Sequence, residues 1–156
     1  MMRVVKNEAM LLGEVDISNI QFDERSRDEM PQLLKGLQFI YCNHDLRKKV
    51  FFELEKIIDP KIKKDKGRKG MELWHILVLG TVRLASNWNY DKLKDQADNH
   101  QALRQMLGIG AFNDEKKFPL QTLKDNVSLL TPESLNNINE IVVKAGQKLL
   151  KKKLKT

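Results

Sequence analysis

The segment Met71–Ser86 limits what this chain can fold into more than any other part of the sequence. Its only ionisable side chains are Glu72, His75 and Arg83, and most of the others are apolar. A helix that is apolar nearly all the way round is buried at the centre of a domain rather than laid on its surface. Its longest apolar stretch, residues 76–85, contains Arg83 and is well short of the roughly 18 residues that a membrane span needs. We therefore predict a central buried helix in a protein that does not cross a membrane.

Two helices are predicted before the central one. The first runs from about Met30 to Tyr41, with Asp28 as its N-cap and Leu33 on its inner face. The second begins at the N-cap Asn43 and continues to Ile58, because the residue before Pro60 avoids the helical conformation. Residues 1–27 have only weak periodicity, so we expect an extended or partly ordered arm there.

Four further helices are predicted after the central one. Two short ones start at residue 89 or 90 and at residue 99 or 100, a third spans Pro119–Leu130, and the last opens with the N-cap Thr131 and Pro132. No run of residues alternates as a strand requires. The sequence therefore predicts an all-α domain of six to seven helices. We divide it into an arm (1–27), a helical pair (28–60), a basic linker (61–70) and a helical region (71–156), and we expect residues 28–156 to fold as one unit.

The net charge of +7 is concentrated in two short segments. Residues 61–69 carry a net charge of +5 and residues 144–156 carry +6, while the rest of the chain is slightly acidic. Concentrated Lys and Arg release counterions from a phosphate backbone, so a polyanion such as DNA is the natural partner. The alternative is that these segments are a solvated linker and tail. A single cysteine, Cys42, and the lack of an apolar leader at the N-terminus favour a reducing, cytoplasmic location.

No group of residues has the spacing of a metal site or a catalytic centre. The three histidines form no i,i+4 pair, and Cys42 with His44 supplies two of the four ligands that structural zinc requires. Asp91, Asp95 and Asp98 lie on one helix face beside lysines, which is typical of a solvated face. We therefore predict no metal, no cofactor and no catalytic residue in this chain.

Two segments are candidates for binding DNA. In the helix Pro119–Leu130 the apolar stripe faces inward, which leaves a polar outer face made of Gln121, Thr122, Lys124, Asp125 and Asn126. Gln and Asn suit pairing with adenine, and Lys suits guanine or phosphate. With the short helix before it, this segment could form a helix-turn-helix-like unit, although the loop of about nine residues is longer than usual. The alternative is an ordinary exposed face on a packing helix.

The basic linker is the second candidate. Its flexible Gly67 and Gly70 would let the backbone approach a phosphate or a minor groove closely. Its candidate DNA contacts are Lys63, Lys64, Lys66, Arg68 and Lys69.

The stretch from Gly67 to Gly80, followed by Pro119–Leu130, resembles the helical N-terminal region of bacterial DDE-type insertion-sequence transposases of the ISNCY group. That family usually has Gly-Arg-Pro-Gly where this chain has Gly67-Arg68-Lys69-Gly70. The resemblance implies binding to double-stranded DNA at the terminal inverted repeat of the parent element. It also implies that the first catalytic aspartate would follow residues 144–153, and no aspartate lies between them and Thr156. We therefore expect a truncated transposase that binds DNA without catalysis.

Two other functions remain open from the sequence. The last helix has a coiled-coil-like seam that could join two copies in a homodimer, which would make the chain a structural module. Its members are Leu135, Ile138, Val142, Ala145 and Leu149. Alternatively, the chain could be a transposase subunit that needs a catalytic partner chain. Salt-dependent DNA binding separates the first hypothesis from the structural one, and metal-dependent strand cleavage would be required for the last.

Overall fold

The computed structural model describes residues 14–23, 25, 29–57, 70–110 and 115–154. These residues form seven α-helices and no strand, so the predicted all-α fold is confirmed. The helices are α1 Met30–Cys42, α2 His44–Glu55, α3 Leu73–Ser86, α4 Tyr90–Asn99, α5 Gln101–Met106, α6 Leu120–Val127 and α7 Pro132–Leu154. Every helix in this part of the chain is too short or too polar to cross a membrane.

Helix α3 lies at the centre of the domain, as its apolar sequence predicts. It packs against α1, α2, α4 and α6. Trp74 is fully buried, and its indole Nε1–H donates a hydrogen bond of 2.9 Å to the carbonyl oxygen of Met106 at the end of α5. The rings of Tyr41 and Phe51 lie 5.1 and 6.2 Å from the Trp74 ring, so α1 and α2 meet α3 around this indole.

Gly80 lets the residues after α6 approach α3 closely. A Cβ atom at position 80 would lie 2.5 Å from Cδ2 and 3.0 Å from Cβ of Leu130, which is buried. A larger side chain would therefore push the turn between α6 and α7 away from the central helix.

Polar residues cap the starts of four helices, as predicted for Asn43 and Thr131. The side chains of Asn43, Asn89 and His100 accept hydrogen bonds from the backbone N–H three residues later, at the starts of α2, α4 and α5. Thr131 does the same for α7. These bonds satisfy N–H groups that have no partner inside the helix. At the other end of α3, Asn87 ends the helix in the left-handed conformation, with φ of 54°.

Three details of the helical pair differ from the prediction. The N-cap position of α1 is Glu29 and makes no side-chain capping bond, whereas Asp28 lies outside the described residues. Leu34 rather than Leu33 is fully buried, because the inner face of α1 begins at Met30. Helix α2 ends at Glu55, earlier than Ile58.

Part of the predicted arm packs on the domain. Residues Ile17–Asn19 form one 3-10 turn, and Ile17 and Ile20 are buried against the core. Gln38 on α1 donates through Nε2 to the carbonyl oxygens of Ile17 and Ile20, at 2.8 and 3.2 Å. This turn is therefore fixed to α1, while residues 1–13 lie outside the described residues.

The seam of α7 packs within the chain. Helix α7 contacts α2, and Ile138 is buried there. Leu135, Val142 and Ala145 are half-buried, and the side chain of Leu149 lies outside the described residues. Much of the surface that could join two copies is thus already used to attach α7 to the domain.

Candidate nucleic-acid interface

Helix α6 presents one apolar and one polar face. Leu123 and Val127 are fully buried, and the helix packs on α3 and α4. Gln121, Thr122 and Lys124 are exposed on the other side. The neighbour of α6 is thus mainly α4 rather than the preceding α5, and residues 107–119 separate α5 from α6. The connection is longer than predicted and longer than that of a standard helix-turn-helix.

Charged residues on α4 and α5 hold the loop that leads into α6. Arg104 on α5 is only 7% exposed, and it donates to the carbonyl oxygens of Ala97 and Lys116 at 2.9 and 2.8 Å. Asp98 on α4 accepts a hydrogen bond of 2.8 Å from the backbone N–H of Phe118. Because these bonds join α4 and α5 to the residues just before Pro119, they fix where α6 begins. The role of Arg104 leaves no signal in the sequence, because its partners are backbone carbonyl oxygens 7 and 12 positions away.

The aspartate row on α4 is explained by the same contacts. Asp98 also forms an ion pair of 2.7 Å with Lys94, and Asp95 accepts a hydrogen bond from Asn99. Within the described ranges no three His, Cys, Asp or Glu side chains gather as metal ligands. Asp98 therefore has a structural role: it attaches the loop before α6 to α4.

Asn126 is a structural contact as well as a candidate for reading bases. Its Oδ1 accepts a hydrogen bond of 3.3 Å from the backbone N–H of Met71, and its Nδ2 donates to the carbonyl oxygen of Thr122 at 2.8 Å. It is half-buried, unlike Gln121 and Lys124. Met71 follows Gly70, the last residue of the basic linker. The linker therefore joins the domain beside α6.

We expect Asn126→Ala to lower the free energy of unfolding by about 1–2 kcal/mol, because the bond to the Met71 N–H is lost. Urea unfolding followed by circular dichroism measures this. Gln121→Ala, on the exposed face of the same helix, is the control and should change stability by less than about 0.5 kcal/mol. Equal stability of the two variants would show that the bond to Met71 contributes nothing.

The linker candidates Lys63, Lys64, Lys66, Arg68 and Lys69 lie outside the described residues. Trp88 and Tyr90, at the corner between α3 and α4, are partly buried against the core. The guanidinium of Arg83 lies 4.5 Å from the centre of the Tyr90 ring. This packing favours a role in holding the corner rather than in stacking on bases.

No family model matches the chain, and no curated protein or solved structure is detectably similar to it.

Proposed function

We propose that this chain is a non-catalytic DNA-binding module of an insertion-sequence transposase, and that it recognises the terminal inverted repeat of the parent element. The observation that carries the proposal is the bond between Asn126 and Met71. It brings the end of the most basic linker in the chain beside the polar face of α6. The basic segment that precedes Met71 would then supply phosphate contacts next to the α6 side chains that are suited to base edges.

The dimensions of α6 support this role. A helix of 8 residues is about 12 Å long at 1.5 Å per residue, and the major groove of B-DNA is wide enough to admit a helix. The bonds made by Arg104 and Asp98 fix the start of α6 on the domain. Gln121 and Lys124 are therefore presented by a rigid element, which favours specific contacts over adaptable ones.

The linker and the helix have different tasks in this proposal. Arg68 and Lys69 are bounded by glycines, so they contact the sugar–phosphate backbone or a narrow minor groove. Gln121, Thr122 and Lys124 read base edges in the major groove. Phosphate contacts position the protein on any duplex, whereas base contacts depend on sequence.

The test is competition binding at fixed salt, with the inverted repeat from the source genome and with random duplex. Arg68→Ala combined with Lys69→Ala should weaken binding to both duplexes. Gln121→Ala should cost about 1–3 kcal/mol on the inverted repeat and little on random DNA. Equal losses on the two duplexes for the Gln121 variant would remove the recognition role from α6.

One observation favours the alternative of a self-associating structural module. Phe52 on α2 and Val143 on α7 are 62% and 56% exposed, on two helices that pack together. A module of this kind would form dimers and would show no salt-dependent affinity for DNA. A subunit that relies on a catalytic partner chain would instead cut DNA only in the presence of that partner and a divalent metal.

A further inference from the structure

Asp125 lies at the centre of the exposed face of α6. Successive residues of a helix are rotated by about 100°, so Gln121 and Asp125 are one turn apart on the side opposite Leu123 and Val127. The burial pattern agrees, since Leu123 and Val127 are fully buried and Gln121 and Asp125 are exposed. Any surface that docks on the middle of this face meets the Asp125 carboxylate.

Gln121 and Asp125 form a pair. Nε2 of Gln121 donates a hydrogen bond of 2.8 Å to Oδ1 of Asp125. An ionised carboxylate donates no hydrogen bond, so Asp125 can only accept. Because one amide hydrogen of Gln121 is used in the pair, the centre of the face is dominated by acceptor oxygens.

A carboxylate facing DNA is unfavourable unless it finds a donor. The phosphates repel it, and most groups exposed in the major groove are acceptors. The donors there are the exocyclic amino groups, N4 of cytosine and N6 of adenine. Every base pair carries one of these amino groups, on its cytosine or its adenine, so the sequence decides on which strand and how far across the groove the group lies. A base that places its amino group opposite the centre of α6 would satisfy Asp125, and a guanine or thymine at the same position would leave it without a partner.

We propose that Asp125 is a specificity-determining residue of the DNA interface, which accepts a hydrogen bond from an exocyclic amino group in the major groove and is held in position by Gln121. This rests on the proposed DNA-binding function. Asp125 also weakens binding to other sequences, because its charge opposes the phosphates wherever no amino group lies within hydrogen-bond reach.

The test is selection of duplexes from a randomised library by the full chain and by Asp125→Asn. Wild-type protein should select a site in which one base pair is fixed in one orientation, with its cytosine or adenine on the strand that faces Asp125. Asp125→Asn should lose roughly 5- to 150-fold discrimination there, as for other bidentate or charged base contacts, and keep its preferences elsewhere. Asn can still accept from Gln121, so the fold should persist, which a thermal melt verifies.

Two further experiments isolate the contact between Asp125 and the base. Replacing the selected base by an analogue that lacks the exocyclic amino group should weaken wild-type binding more than binding by Asp125→Asn, because a neutral amide oxygen is a weaker acceptor than a carboxylate. Parallel cytosine and adenine analogues show which amino group is used. Glu140→Gln makes the same charge change on an exposed acid of α7, so it should raise affinity for all duplexes slightly without altering base preference.

The results separate this inference from the proposed function. If wild-type protein selects a site and Asp125→Asn selects the same site with unchanged discrimination at every position, the inference is wrong and the DNA-binding function stands. If wild-type protein binds no duplex, or binds all duplexes equally, both are wrong.

Discussion

Raising the salt concentration from about 50 to 200 mM is expected to weaken binding of this chain to duplex DNA by roughly 10³- to 10⁵-fold, if about six to ten phosphates are contacted. The reason is that residues 61–69 and 144–156 carry net charges of +5 and +6 on an otherwise slightly acidic chain. Fluorescence anisotropy with a labelled random duplex, repeated across a salt series, gives the slope directly. Absence of binding at low salt, or a flat slope, would contradict the proposed function.

Paired variants test whether the linker causes the salt dependence. Arg68→Ala with Lys69→Ala should reduce the slope of log affinity against log salt concentration by the equivalent of about two phosphate contacts. Lys48→Ala with Lys49→Ala removes two exposed positive charges from α2, which has no assigned DNA contact, and should leave the slope unchanged. An equal reduction in both double variants would mean that net charge alone, and not the linker, sets the salt dependence.

Trp74→Ala is expected to lower the free energy of unfolding by about 3–5 kcal/mol. The indole is fully buried where α1, α2 and α3 meet, and its loss also leaves the Met106 carbonyl without its hydrogen bond. Domains of this size are stable by about 5–15 kcal/mol, so the variant would unfold at much lower urea concentration or fail to fold. Urea titration followed by circular dichroism measures the loss.

Trp88→Ala is the matched control for this prediction. Trp88 is half-buried at the corner between α3 and α4, so its removal should cost clearly less than that of Trp74. A cost for Trp74→Ala of about 1 kcal/mol or less would show that the core around α3 is loosely packed, in contrast to well-packed cores.

The helices were predictable because each carries its own local signals. The apolar stretch of α3 required central burial, and Asn43, Asn89 and Thr131 marked helix starts by side-chain chemistry that acts within three residues. The burial of Ile17 and Ile20 was not predicted. A single 3-10 turn is too short to show a period, and the bonds that fix it come from Gln38 on α1.

The candidate site was predictable only in part, for a related reason. The inward leucines of α6 set which side faces out, and Gln121, Thr122 and Lys124 are exposed there. The contact of Asn126 was hidden because its partner, Met71, is 55 positions away in the sequence. An amide side chain suits an adenine edge and a backbone N–H equally well, so residue type alone does not separate the two roles.

The bond between Asn126 and Met71 has a consequence for how the linker and α6, the two elements proposed to contact DNA, act together. On the proposed interface, the linker and α6 are joined at one point on the domain, so neither has to find the duplex independently. Once the linker is bound to a phosphate, the adjacent groove is available to α6 as if it were present at a high concentration. For short flexible tethers this effective concentration is in the millimolar range. Weak base contacts by a helix of 8 residues then suffice to retain the protein at its site. Inserting residues at Gly70 would lower this effective concentration without removing any contact to DNA.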